Sequence, residues 1–273
     1  MKRILTALIA LPILLYTVWS SSPYPFVALT ALAVILALGE FYQLASEADC
    51  QPARALGYVA ALLVIGCFVL DKPVWIVAIL AALVIASLAA GLTRPAHMNR
   101  SLAAAGATVL GVSYVALLAG FLAGVRMIPD PPSLNHLPSK LITLFLAMVM
   151  MTDTGAYYTG RALGRHKLAP RISPGKTVEG AVGGFIAAVI AGPLCRVLFF
   201  PQLPLLDSFL LGASIGILGQ VGDLAESMLK RGSGVKDSSH LLPGHGGMLD
   251  RLDSILFCAP LIYYYSRFFT PAQ

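Results

Sequence analysis

Charged residues and glycines concentrate in one stretch of an otherwise apolar chain, between residues 223 and 254. Its acids are Asp223, Glu226, Asp237, Asp250 and Asp253, and its bases are Lys230, Arg231, Lys236 and Arg251. Carboxylates suit Mg²⁺, which takes one or two of them and shares its other positions with water and substrate phosphates. Bases can neutralise a polyphosphate. Such a combination is what phosphoryl or nucleotidyl transfer requires, because that chemistry is mostly positioning and electrostatic stabilisation.

The spacing of the acids supports a metal site at two helix ends. If both ends are helical, Asp223 shares a face with Glu226, and Asp250 shares one with Asp253, because residues i and i+3 are neighbours on a helix. These four carboxylates are the predicted metal ligands. The alternative, that they form solvated salt bridges with the nearby bases, is left open by charge spacing alone.

Glycines in Pro243-Gly-His-Gly-Gly247 favour anion binding. Gly244, Gly246 and Gly247 let the backbone approach a ligand closely, and consecutive N–H groups can cradle an anion. His245 lies between glycines and is not a packed core histidine, so a phosphate contact and a structural role both stay open. The predicted catalytic residues are Lys230, Arg231, Lys236, Asp237, His245 and Arg251.

A second polar segment, residues 161–179, contains Ser173-Pro-Gly-Lys-Thr-Val-Glu-Gly180. The Gly-Lys-Thr within it is not a P-loop, because the motif would need glycine where Pro170 stands and no strand is predicted before it. The lysine and hydroxyl groups remain good phosphate contacts. The predicted substrate-binding residues are Asp153, Ser173, Lys176, Thr177, Gly244, Gly246 and Gly247.

Two acids fall within apolar runs. An ionisable residue inside a membrane span costs about 2.5–3.5 kcal/mol on insertion scales and is functional by default. Asp153 lies well inside such a run and is predicted to act in the site. Glu40 is near the end of its run, where snorkelling to the membrane interface is an equally good interpretation.

The composition requires lipid as the solvent of these elements. Hydrophobic residues make up 58% of the chain and charged residues 12%, with a mean hydropathy of +0.80, whereas a soluble domain has roughly 25% charged residues. Apolar runs of about 17–25 residues recur, which is the length of a membrane-spanning helix. The net charge of +6 is interpreted as basic cytoplasmic loops rather than nucleic-acid binding. The isolated cysteines form no CxxC pair, so neither a disulfide framework nor a zinc site is expected.

The predicted fold is all-α: a polytopic membrane protein with about nine transmembrane helices and cytoplasmic polar loops. The predicted spans are residues 4–19, 25–44, 55–70, 74–92, 102–125, 140–160, 180–200, 206–221 and 255–268. The first is expected to be retained, since no A-x-A cleavage site follows it. With the N-terminus inside, most of the 19 Lys and Arg residues lie on the cytoplasmic side, as the positive-inside rule requires. We treat residues 1–273 as a single integral-membrane domain, with N-terminal spans in 1–139 and catalytic spans and loops in 140–273.

The pattern S-x-x-K-R-x-x-x-x-K-D-x-x-x-x-x-P-G-H-G-G-x-x-D-R-x-D, from Ser227 to Asp253, resembles the signature of the phosphatidate cytidylyltransferases, the CDP-diacylglycerol synthases. Asp153-Thr-Gly-Ala-Tyr157 and residues 173–180 also resemble that family. The resemblance is strong over residues 140–273. The earlier spans match only in hydrophobicity and number.

This resemblance implies a bacterial inner-membrane enzyme that joins CTP to phosphatidic acid and releases pyrophosphate. It also implies dependence on Mg²⁺, with K⁺ as a candidate second cation, and a homodimer. Asp223 and Asp250 match the acids that hold the metal centre. One alternative is a CTP-dependent lipid or polyprenol kinase, which would transfer the γ-phosphate. A transporter with Asp153 and Glu40 along its path is a weaker alternative, since the charged motifs are all in the second half of the chain.

Overall fold

In the computed structural model, which describes residues 2–92, 99–131, 134–239 and 246–269, α-helix dominates the chain. The helices follow the apolar runs because backbone groups in lipid must form their hydrogen bonds internally. In chain order, the elements are α1 (Lys2–Trp19), α2 (Tyr24–Glu47), α3 (Arg54–Val69), α4 (Val74–Leu92), α5 (Ser101–Gly111), a π-helical segment (Val112–Leu117), α6 (Leu118–Arg126), α7 (Leu137–Leu163), β1 (Lys167–Ala169), β2 (Ser173–Thr177), α8 (Val178–Leu198), α9 (Leu205–Gly232) and α10 (Leu249–Phe269).

Several of these helices are suited to crossing a membrane. Within the described ranges, 6 helical segments are long and apolar enough: α2, α4, the continuous segment Ser101–Arg126, α7, α8 and α9. The apolar parts of α1 and α3 are shorter, at Ala10–Trp19 and Arg54–Val69, and α10 carries charges near both ends. The all-α, multi-pass membrane fold is confirmed. The count of nine spans stays a prediction.

The chain divides into two compact units, and the Cα atoms of each unit lie close to one another. The first comprises Met1–Ile128 and Leu229–Leu252, and the second Pro129–Met228 and Asp253–Gln273. Helices α9 and α10 therefore each supply residues to both units. This division does not follow the predicted boundary between residues 139 and 140, and treatment of the chain as one domain stays a prediction.

In the first unit, buried hydrogen bonds link α2, α5 and the start of α3. Tyr42 is fully buried, and its hydroxyl donates to the carbonyl oxygen of Thr108 in α5 at 3.1 Å. The Thr108 hydroxyl in turn accepts from the backbone N–H of Ala53, just before α3, at 2.8 Å. These bonds fix α2 against its neighbours and so determine where Glu40, two positions before Tyr42, presents its carboxylate.

Small residues bring α7 and α8 of the second unit into close contact. A Cβ added to Gly184 would lie 2.7 Å from the carbonyl oxygen of Thr152, and one added to Gly180 would lie 2.9 Å from that of Ala156. Lipid offers no hydrophobic drive for helix association, so close backbone approach supplies the attraction. The glycines at positions 180 and 184 therefore serve close packing of these two helices.

Residues 161–179, expected to be a loop, contain a short antiparallel hairpin. Lys167 pairs with Thr177, and Ala169 pairs with Ser173. Glu179 anchors the hairpin, since its carboxylate accepts from the backbone N–H of Arg165 at 3.0 Å and contacts Nδ1 of His166 at 2.6 Å. The two short strands within this loop were not predicted, because no apolar alternation marks strands that are largely exposed.

Candidate functional site

Asp250 occupies the first turn of α10 and is the centre of a polar cluster in the first unit. Its Oδ1 lies 2.6 Å from Nζ of Lys230. Its Oδ2 accepts from the backbone N–H of Gly247 at 2.7 Å and from the backbone N–H and hydroxyl of Ser238 at 3.2 and 3.1 Å. A carboxylate is favoured here because the first turn of a helix has unpaired N–H groups and a positive partial charge.

The Lys230–Asp250 ion pair is nearly buried, with side-chain exposures of 12% and 7%. Lys230 lies on the last turn of α9, which continues past residue 221, where the predicted span ends, as far as Gly232. A buried charge is costly unless it is paired. Each partner therefore depends on the other, and the solvated salt bridge considered above does not describe this pair.

Glu40 belongs to the same cluster although it lies far away in sequence. Its Oε1 accepts from the Ser239 hydroxyl at 2.5 Å and from the backbone N–H of Met248 at 2.9 Å. Its Oε2 accepts from the Ser238 hydroxyl at 3.0 Å and from the backbone N–H of Leu249 at 2.8 Å. Glu40 is 6% exposed, so snorkelling was the wrong alternative. We define the Asp250 cluster as Glu40, Lys230, Ser238, Ser239, Gly247 and Asp250.

Gly246 and Gly247, just before α10, are each required for a different physical reason. Gly246 has φ +82°, a left-handed conformation that glycine adopts without a steric cost. A Cβ added to Gly247 would collide with Oγ of Ser238 and Oε2 of Glu40. Gly246 and Gly247, both predicted to bind substrate, therefore also shape the Asp250 cluster.

A second cluster lies in the second unit and is centred on Asp223 of α9. Nζ of Lys176, from β2, lies 2.7 Å from Oδ2 of Asp223, with side-chain exposures of 26% and 34%. Asp253 is near enough to Asp223, Asp153 and Lys176 for all three charges to act on its carboxyl group. We define the Asp223 cluster as Asp153, Lys176, Asp223 and Asp253. It unites predicted substrate-binding and metal-binding residues.

The remaining predicted site residues differ in their exposure and in their contacts. Glu226 is fully buried on α9, whereas Lys236, Asp237 and Arg251 are exposed and Ser173 is half-buried. Arg231 donates to the carbonyl of Val235 at 3.1 Å. The Thr177 hydroxyl caps α8 by accepting from the N–H of Gly180 at 3.1 Å. Gly244 and His245 lie outside the described residues. The roles assigned to all of these residues stay predictions.

Both clusters contain carboxylate oxygens, which are the ligands that a hard cation prefers. Among the described residues, no group of three or more His, Cys, Asp or Glu side chains is arranged to hold a metal ion alone. Mg²⁺ does not require such a group, because it usually binds one or two carboxylates and keeps water and substrate phosphates. The carboxylates of Asp223 and Asp250 each face a lysine ammonium group, so both positions already accommodate positive charge.

Sequence reasoning did not assign Glu40 to the site and gave Ser238 and Ser239 no role. No local pattern links Glu40 to residues 238–249, since the contact depends on how α2 packs. The signal that was present is an acidic residue in an apolar run, for which a buried partner is the physical expectation.

Comparison with known proteins identifies the family. Residues 1–269 match the model of the Cytidylyltransferase family. The chain is 46% identical over 138 residues to the uncharacterized protein YnbB of Escherichia coli K12, covering 50% of this chain and 46% of that protein. It is 44% identical over 132 residues to a phosphatidate cytidylyltransferase of Bacillus subtilis 168, covering 48% and 49%.

These two matches span about half the length of each relative. A phosphatidate cytidylyltransferase of Brucella suis matches far more of the chain, with 36% identity over 282 residues that cover 98% of this chain and 93% of the relative. The similarity thus includes the N-terminal spans, for which the sequence analysis noted only hydrophobicity. The chain belongs to the cytidylyltransferase family, as the resemblance predicted.

Proposed function

We propose that this protein is a phosphatidate cytidylyltransferase, which converts CTP and phosphatidic acid into CDP-diacylglycerol and pyrophosphate. The observation that carries the proposal is the 36% identity to the Brucella suis enzyme of that name over 98% of this chain. An oxygen of the lipid phosphate attacks the α-phosphorus of CTP. The bond from that phosphorus to the oxygen bridging the β-phosphate breaks, and pyrophosphate leaves with the electron pair.

The lysines of the two clusters have the charge that this reaction needs. Lys176 and Lys230 each hold an ammonium group beside an aspartate, and a phosphate oxygen can take the place of that carboxylate as the partner. The exposed Lys236 and Arg251 are available to a soluble nucleotide. No covalent enzyme intermediate is needed, because the lipid phosphate is itself a competent nucleophile.

We assign the metal ligands to the predicted carboxylates. Asp223, Asp250, Asp253 and Glu226 are the residues that would hold Mg²⁺, with K⁺ as a candidate second cation. When bound, Mg²⁺ neutralises phosphate charge and stabilises the leaving pyrophosphate. Support comes from the donor set, since carboxylate oxygens are the ligands that hard cations prefer.

The proposed location is the bacterial inner membrane, with the clusters on the cytoplasmic side where CTP is found. Asp223 and Lys230 lie toward the C-terminal end of α9 and Asp250 lies at the beginning of α10. The acyl chains of the lipid substrate can remain in the bilayer while its phosphate reaches these helix ends. A homodimer is part of the proposal and is measurable as the mass of the detergent-solubilised protein.

Labelled CTP tests the reaction. Purified protein is incubated with Mg²⁺, phosphatidic acid and CTP labelled at either the α- or the γ-phosphate, and the lipid product is separated. We expect α-label in the lipid and one pyrophosphate released per product. Label from the γ position would instead establish the kinase alternative. Absence of any lipid product, with folded protein and both substrates present, would overturn the proposal.

A further inference from the structure

Glu40 presents both carboxylate oxygens to the segment that contains Asp250. Two of its partners are the backbone N–H groups of Met248, just before α10, and of Leu249, its first residue. At the start of a helix, such N–H groups have no acceptor within the helix. Its other two partners are the hydroxyls of Ser238 and Ser239. One carboxylate from α2 therefore fixes the two flanks of the loop between α9 and α10.

This contact reaches Asp250 through a shared residue. The Ser238 hydroxyl lies 3.0 Å from Oε2 of Glu40 and 3.1 Å from Oδ2 of Asp250. Ser238 also donates its backbone N–H to Asp250. A displacement of Glu40 would therefore move Ser238 and the first turn of α10 together, and with them the carboxylate of Asp250.

Glu40 is buried, and its hydrogen-bond donors offset the cost of burying its charge. The residue is 6% exposed, and a buried carboxylate requires donors to offset its lost hydration. Hydrogen bonds to an ionised acceptor are about twice as strong as neutral ones. The partial positive charge at the start of the 21-residue helix α10 adds a further favourable interaction.

The absence of a side chain at Gly247 independently indicates that the Glu40 carboxylate approaches the backbone closely here. Any side chain at position 247 would overlap Oε2 of Glu40 and Oγ of Ser238. The glycine requirement at this position of the motif is thus explained by a residue of the N-terminal half of the chain, outside the segment in which the motif lies.

We propose that Glu40 is a positioning residue for the reaction, which holds the first turn of α10 and Ser238 so that Asp250 keeps its working orientation. This inference rests on the proposed function for its effect on turnover. Glu40 does not touch substrate in this assignment and acts only through Ser238 and the α10 backbone.

The test compares Glu40→Gln with Glu47→Gln, a matched control on the same helix. Glu47 is exposed and accepts a 3.2 Å bond from the side chain of Gln43, one turn earlier on the same helix. Glutamine keeps the size of Glu40, but its NH₂ group would face donors instead of accepting from them. We expect hydrogen–deuterium exchange of residues 246–252 to become about tenfold faster in Glu40→Gln, with exchange of α7 unchanged and the control like wild type.

Kinetics supply the second measurement. We expect kcat of Glu40→Gln to fall about tenfold or more while KM for CTP changes by less than about threefold, because a transition-state orientation is lost rather than nucleotide binding. Glu40→Asp, which keeps the charge, should restore part of both kcat and protection. Wild-type exchange and wild-type kcat in Glu40→Gln would overturn the proposal, as would equal loss of protection in α7, which would indicate general destabilisation.

Two further variants keep the proposal testable if Glu40→Gln does not fold. Glu40→Asp and Ser239→Ala each weaken the contact without removing it, and wild-type exchange and kcat in both would overturn the positioning role. Failure of the proposed function is distinguishable, because wild-type protein without phosphatidate-dependent CTP turnover would refute that function alone. The exchange measurement does not depend on activity and would still decide whether Glu40 orders α10.

Discussion

Lys230 and Asp250 form a nearly buried ion pair, with Nζ 2.6 Å from Oδ1. They are 20 residues apart in sequence and lie on different helices, α9 and α10. The segment between them contains the glycine-rich part of the motif. This pair therefore closes the loop on which the proposed chemistry depends, and it links loop stability to the orientation of Asp250.

Asp250→Asn is expected to reduce CDP-diacylglycerol formation by about 10²-fold or more, because a charge that acts in the transition state is removed. It should also lower stability by about 3–5 kcal/mol, since Lys230 is left buried without its carboxylate. The measurements are turnover of α-labelled CTP and the thermal midpoint in detergent.

A double variant separates the two effects of Asp250→Asn. Lys230→Met combined with Asp250→Asn removes both charges, and we expect it to recover most of the thermal midpoint without recovering turnover. If turnover returned together with stability, Asp250 would have no part in the chemistry. Near-normal turnover in Asp250→Asn alone would have the same meaning.

Lys176→Met is expected to affect activity more than stability. Its pair with Asp223 is partly exposed, and such pairs contribute about 0–1 kcal/mol, so the unfolding midpoint should hardly change. Loss of a charged phosphate contact should raise KM for CTP or lower kcat, giving about a tenfold loss of kcat/KM. Lys167→Met, at an exposed position of β1 in the same hairpin, is the matched control. Equal kcat/KM in the two variants would remove Lys176 from the site.

Gly247→Ala should lower both stability and kcat, because its Cβ would meet the Ser238 hydroxyl and the Glu40 carboxylate. Removing the nearer obstacle should relieve part of this effect. We expect the double variant Gly247→Ala with Ser238→Ala to be more stable than the sum of the single effects by about 1 kcal/mol. Strict additivity in a thermal-unfolding cycle would mean that the two positions do not meet.

Gly184→Ala should destabilise the second unit by about 1–3 kcal/mol, because its Cβ would lie 2.7 Å from the carbonyl oxygen of Thr152 and would force α7 and α8 apart. Gly66→Ala is the control, since a Cβ at this position of α3 has nothing within 4 Å. Alanine there should be neutral or stabilising, as it is a better helix former than glycine. Similar midpoints for both variants would contradict the close α7–α8 contact.

Labelling with a membrane-impermeant maleimide tests the proposed orientation. Lys236 is exposed, so Lys236→Cys, made after replacing the native cysteines, should react in inverted membrane vesicles and not in intact cells with an opened outer membrane. Leu70→Cys, at the other predicted side and highly exposed, should show the opposite pattern. Labelling of Lys236→Cys in intact cells would place these groups away from cytosolic CTP and refute the proposed function.

Local patterns of the sequence determined the helical, lipid-embedded character of this chain, the extent of most of its helices and the family motif. Apolar runs and residue spacing are properties of neighbouring residues, so they are visible without a structure. The acids and bases of the motif were assigned to the site for the same reason.

The tertiary structure decided which charges are partners. The bond from Ser238 to Glu40 joins residues 198 positions apart, and Lys176 and Asp223 meet because β2, α8 and α9 belong to one compact unit. Glu179 likewise joins the first turn of α8 to the start of the hairpin, through Arg165 and His166. Such contacts arise from helix packing over long sequence distances, which hydrophobic patterning does not encode, and so the role of Glu40 became visible only in the folded chain.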